Sequence, residues 1–91
     1  MLVLVIYDIP DHKRRKKLSD FLEGYGRRVQ RSAFECFLNL GEMKKLYEQL
    51  TKRVVPAEDN VRLYWINADA MPRTLTLGSR PPQPPPDAYV L

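Results

Sequence analysis

Residues 2–7 read Leu-Val-Leu-Val-Ile-Tyr, an unbroken apolar run rich in β-branched side chains that stops at Asp8. Such a run predicts a strand buried on both faces, hence central in its sheet. Pro10 blocks its continuation, and Asp11 is placed to cap a helix starting at His12. Leu18, Phe21, Leu22 and Tyr25 recur at i, i+3, i+4 and i+7, one face of an amphipathic helix over residues 11–25. Gly24 and Gly26 favour its end. Over residues 28–40 the period changes to two: Phe34, Cys36, Leu38 and Leu40 alternate with Ala33, Glu35, Phe37 and Asn39. A short polar strand, a bend or bulge near Ser32 and a longer strand are predicted. Gly41 and Glu42 open a second helix with Met43, Leu46, Tyr47 and Leu50 on one face and Lys52 and Arg53 in its last turn. Residues 61–66, VRLYWI, alternate again and form another strand.

The resulting order, two helices on one face of an antiparallel sheet, is an α+β sandwich of the ferredoxin-like type, βαββαβ. Thr74–Leu77 is expected to add a short fifth strand. The domain is taken as residues 1–77, because residues 78–87 hold five of the eight prolines and form an extended linker. The apolar tip beyond it, residues 88–91, either docks on a sheet edge or groove of a partner subunit or frays.

Composition sharpens this picture. A chain of 91 residues holds one core, and pairing with a second copy would help so small a fold. Hydrophobic residues make up 44% and charged residues 29%, which excludes a disordered chain. With no apolar run of membrane-spanning length and no basic leader before the first strand, a soluble cytoplasmic protein is expected. One cysteine and one histidine exclude an intrachain disulfide and a Cys/His zinc cage within one chain. The net charge is +4 and the pI about 9.4. Residues 11–31 carry eight basic and three acidic side chains, net +5, and the rest of the chain nets −1. A basic excess gathered in one stretch is the electrostatic footprint of a nucleic-acid binder.

The candidate chemistry starts at Asp8, where the chain leaves the sheet. Mg²⁺ and Mn²⁺ take carboxylate oxygens. One carboxylate is a poor site, but two copies meeting at a twofold axis would supply a pair. The competing role for Asp8 is to start the turn at Ile9-Pro10. Lys13, Arg14, Arg15, Lys16 and Lys17 crowd a helix start against its dipole, which suits phosphate contact as well as a solvated face. Arg27, Arg28 and Arg31 sit beside Phe34 and Phe37, rings on opposite strand faces, of which at most one belongs to the core. AFECF lacks the glycine and basic start of an RNA-recognition motif. His12 is a lone imidazole, able to shuttle protons or to stand inert at an exposed helix start, and Cys36 fits a small core residue.

LVLVIYDI, the basic first helix, GRRVQRSAFECFL and VRLYWI together resemble the second CRISPR-associated protein family, the small partner of the spacer-acquisition integrase. The resemblance spans roughly residues 1–77 and implies a ferredoxin-like homodimer whose fourth and C-terminal segments exchange edge pairing. It implies that Asp8 is the divalent-metal residue, facing its copy across the dimer axis. Tyr7, Arg15, Arg28 and Phe34 fall on positions linked to nuclease activity, while Lys17 departs from the Arg usual in the family. The implied activity is Mg²⁺-dependent cleavage of single-stranded RNA or duplex DNA. The implied alternative is a scaffold holding prespacer DNA for the integrase. A ferredoxin-like small-molecule sensor and a toxin-like messenger nuclease are further classes; the basic stretch argues against the sensor.

Overall fold

The computed structural model describes residues 1–84, so the tip at 88–91 lies outside the described residues. The elements run β1 (Leu2–Asp8), α1 (His12–Leu22), β2 (Arg27–Gln30), β3 (Ala33–Phe37), α2 (Leu40–Thr51) and β4 (Asn60–Ile66), followed by a 3-10 helix at Ala68–Arg73. The sheet order is β2-β3-β1-β4, with every pairing antiparallel. Each helix therefore crosses between two parallel strands with a third lying between them. This is the ferredoxin-like βαββαβ topology, and the right-handed crossover rule sends both helices to one face.

Alternation along β1 settles which side chains meet those helices. Val3, Val5 and Tyr7 point to them and join Phe34 and Cys36 of β3, Leu18 and Leu22 of α1, and Leu46 and Leu50 of α2 in one buried core. The opposite face carries Leu4, Ile6 and Asp8 of β1, Glu35 and Phe37 of β3, and Arg62 and Tyr64 of β4. Ile6 and Tyr64 are 39% and 43% exposed there. The expectation of a strand buried on both faces is thus corrected. β1 is central through its two strand partners, and one chain supplies a helix layer to one face.

Several boundaries shift for local reasons. α1 stops at Leu22, short of the predicted residue 25, and the amide of Gly26 bonds back to the Leu22 carbonyl at 3.0 Å. A side chain at Gly26 would fall on the Glu35 carbonyl oxygen and the Cys36 Sγ, so glycine permits the close approach of this turn to β3. Tyr25 keeps its helical contact all the same, its ring 5.1 Å from Phe21. The irregularity predicted near Ser32 is a register shift between Arg28 and Gln30 followed by a turn at 31–32. α2 begins at Leu40, which leaves the strand pattern and stands 65% exposed. The cause is a capping box: the Asn39 side chain accepts from the Glu42 amide at 2.7 Å, and the Glu42 side chain accepts from the Asn39 amide at 2.9 Å. Lys52 and Arg53 fall beyond α2, and the Arg53 guanidinium lies 3.9 Å from the Phe21 ring centroid.

The predicted fifth strand is not formed among the described residues. The 3-10 helix carries the chain off the β4 edge. A Thr76 Oγ1 to Ser79 carbonyl bond of 2.8 Å and a positive φ at Gly78 then bend the segment. Without a ladder partner Leu75 and Leu77 stand 94% and 100% exposed.

Candidate nucleic-acid interface

The C-terminal end of β1 divides two adjacent residues between the two faces. Tyr7 goes inward and is 3% exposed, whereas Asp8 goes outward and is exposed. The Tyr7 ring stacks on Phe34 with centroids 6.4 Å apart, and its hydroxyl reaches the Arg31 carbonyl at 3.4 Å. Burial raises the phenol above its ordinary pKa, against the opposing pull of Arg28 and Arg15. Tyr7 is therefore a neutral hydrogen-bonding group, not a base.

Three arginines surround this end of the sheet. Arg15 emerges from the first turns of α1. Its Nη1 donates to the Ile9 carbonyl at 3.0 Å and the Pro10 carbonyl at 3.4 Å, and its Nη2 lies 3.0 Å from His12 Nδ1. Arg28 comes from β2 and lies over Phe34, 5.5 Å from the ring centroid. Arg31 comes from the β2–β3 turn. A cleft of about 330 Å³ between α1 and β2 is lined by Tyr7, His12, Arg15, Lys16, Arg28 and Arg31, with Ser19, Asp20 and Glu23 on its α1 side. A second hollow of about 250 Å³ holds Asp8, Ile9, Arg15, Arg31 and Ser32. Arg15 and Arg31 line both, so they bridge the carboxylate on one side and the phenol with Arg28 on the other.

Two candidates are corrected. Phe34 is fully buried and cannot touch a substrate. It acts beneath the site, as the platform on which Tyr7 and Arg28 rest. Arg14 is not available to phosphate. Its Nε donates to Asp59 at 2.6 Å, and its Nη2 donates to Asp59 and to Glu58, each at 2.9 Å; Asp11 lies 3.6 Å from Nη1. The Asp59 bond holds Arg14 in its charged form, and Arg14 in turn holds the Asp59 carboxyl below the usual carboxylate range. Arg14 ties α1 to the α2–β4 loop.

The remaining basic residues are dispersed. Lys16 reaches the cleft but pairs with Asp20 at 3.1 Å, an exposed i,i+4 contact. Lys13 and Lys17 are exposed on α1. Arg27 lies across from Glu35 in the β2–β3 ladder. Burial raises the Glu35 pKa and the Arg27 charge pulls it back. Cys36 is buried, its thiol pushed up to about 11 by burial with Glu35 adding to the effect, so it is no nucleophile. His12 and Arg15 stand at i and i+3 on one exposed turn of α1, the spacing that makes helix side chains neighbours.

Among the described residues no three His, Cys, Asp or Glu side chains gather as a metal cage. Asp8 offers one hard, solvent-facing oxygen donor beside two arginines. That donor type suits Mg²⁺ or Mn²⁺, and one chain alone leaves the set incomplete.

The description "CRISPR associated protein Cas2" matches residues 1–74. The chain belongs to the Cas2 family. A CRISPR-associated endoribonuclease Cas2 of Synechocystis is 39% identical over 90 residues, covering 99% of this chain and 98% of that protein. Streptococcus pyogenes Cas2 superposes with a TM-score of 0.75 at 32% identity, covering 86% of this chain and 100% of that one. A chain of a partial Cas6-RT-Cas1–Cas2 complex superposes with a TM-score of 0.72 at 31% identity, covering 88% of this chain and 93% of that one. The Cas2 membership agrees with the resemblance carried by LVLVIYDI and QRSAFE. No helix among the described residues is long and apolar enough to cross a membrane.

Proposed function

We propose that this Cas2 chain is a CRISPR-associated nucleic-acid-binding protein of the spacer-acquisition step, with divalent-metal-dependent endonuclease activity on RNA or duplex DNA. The observation that carries the proposal is the shared wall of Arg15 and Arg31 between Asp8 and the Tyr7–Arg28 cleft. It puts a carboxylate and three phosphate-binding cations at one strand end. Asp8, together with Asp8 of a second copy, would hold Mg²⁺ or Mn²⁺, which when bound supplies a water of lowered pKa and a Lewis acid for a phosphoryl oxygen. The rest of the work belongs to side chains of this chain. Arg15, Arg28 and Arg31 grip phosphates flanking the scissile bond and stabilise charge that develops on it. Tyr7 keeps its proton, which it directs at the Arg31 carbonyl, and offers its oxygen as an acceptor to the cleft.

Pairing of two copies is part of the proposal. Its support is the sheet face with exposed Ile6 and Tyr64, and the outer edge of β4, which has no strand partner among the described residues. Beside that edge, Met43, Val61 and Leu63 line an apolar groove of about 300 Å³. The exposed Leu75 and Leu77 are two residues apart, as side chains on one face of an added strand must be.

A second reading, the scaffold that holds prespacer DNA for an integrase, is favoured by one observation: a relative of the same fold was solved as part of a Cas1–Cas2 assembly. The two separate in one experiment. Labelled RNA and duplex DNA are incubated with the protein and with Asp8→Asn, in Mg²⁺ and in EDTA. Cleavage that requires both Mg²⁺ and Asp8, with a drop of about 100-fold or more in the variant, is expected. Cleavage retained by a clean Asp8→Asn preparation removes the site. Duplex binding without turnover leaves the scaffold.

A further inference from the structure

The chain has one histidine, and it does not stand idle at the helix start. His12 Nδ1 lies 3.0 Å from Arg15 Nη2. A guanidinium carries donors and no acceptor, so His12 must receive this bond with Nδ1 unprotonated and its hydrogen on Nε2. Arg15 is otherwise held by its Nη1 alone, through the Ile9 and Pro10 carbonyls. Two carbonyls on one nitrogen leave the plane free to pivot, and the imidazole fixes it. We propose that His12 is a positioning residue for Arg15, its ring holding the guanidinium in its orientation toward the cleft.

Arg15 and Lys16 of α1, Arg28 of β2 and Arg31 of the β2–β3 turn face the same cleft as His12, opposed by Asp20 and Glu23. Asp20 is engaged with Lys16, and the neighbouring Asp11 faces Arg14 at 3.6 Å.

Nitrogen-15 spectra of the His12 ring test the contact in the protein alone, with no assignment ambiguity because the chain has one imidazole. The neutral ring is expected to carry its hydrogen on Nε2, and that tautomer preference is expected to be lost in Arg15→Ala. A tautomer balance unchanged in Arg15→Ala overturns the proposal. The catalytic arm rests on the nuclease reading. His12→Gln keeps an acceptor and is expected to cleave faster than His12→Ala. His12→Lys is expected to lower cleavage about tenfold while duplex binding at low salt is retained. Equal cleavage by His12→Gln and His12→Ala overturns the positioning role. If no form of the protein cleaves, the nuclease reading fails, and the ring spectra still decide the contact.

Discussion

Arg14 and Arg15 are neighbours in the same basic run, yet they belong to different regions of the molecule. Consecutive helix positions point about 100° apart, so the first turns of α1 aim one guanidinium at the α2–β4 loop and the other at the cleft. Arg14 meets Glu58 and Asp59 there and Asp11 at the start of its own helix, with the Asp59 side chain fully covered. Arg15 meets backbone carbonyls and an imidazole, and no acid among the described residues. The first arrangement neutralises the charge and joins elements. The second orients the charge and leaves it unspent for an anion. Charge count in a sequence cannot separate these outcomes; the identity of the partner does.

The largest effect tests what lies beneath the cleft. Phe34→Ala removes a fully buried ring and should cost about 3–5 kcal/mol, read as a lower urea midpoint. If activity is lost while stability is untouched, Phe34 belongs to the substrate surface after all. Next comes the arginine pair itself. Arg15→Ala should lower cleavage about 100-fold with little change in Tm, and Arg14→Ala should lower Tm with little change in duplex affinity. A reversed pattern breaks the comparison. A smaller effect is expected from pH. The Asp59 pKa is lowered in the folded protein, so its contribution is present above the unfolded carboxylate value, about 3.9, and is lost as pH falls through the folded value. Stability of the wild type should therefore fall more steeply than that of Asp59→Asn below about pH 4, measured by denaturation across pH 2–7. The smallest effect is the salt dependence: Lys13→Ala and Lys17→Ala should each reduce the slope of log affinity against log salt by no more than about 1.

Much of this was legible before any coordinates. The period-two run around Phe34 and Cys36, the helical recurrence of Leu18, Phe21 and Leu22, and the strand ending at Asp8 were readable because side-chain periodicity is a local property. The boundaries that moved did so through single interactions. Asn39 and Glu42 form a capping box whose residues also fit a strand's alternation. Gly26 is needed by an approach to β3 that lies nine residues away. Of the assignments that changed, Phe34 shares the apolar side of its period-two run with Cys36 and Leu38, and its place at the substrate came from the family resemblance alone. Arg14 has no local signature, since an arginine on a helix reads the same whether an acid waits across the fold.

By itself the sequence determined the kinds and order of the elements, the concentration of positive charge in residues 11–31, and the carboxylate at the close of β1. Those follow from pattern and composition along the chain. Tertiary structure alone decided that Arg14 pairs with Glu58 and Asp59, and that Arg15 and Arg31 line the hollows on both sides of the strand end. The physical reason is that pairing and desolvation depend on distance in space, and Arg14 finds its partner 45 residues along the chain.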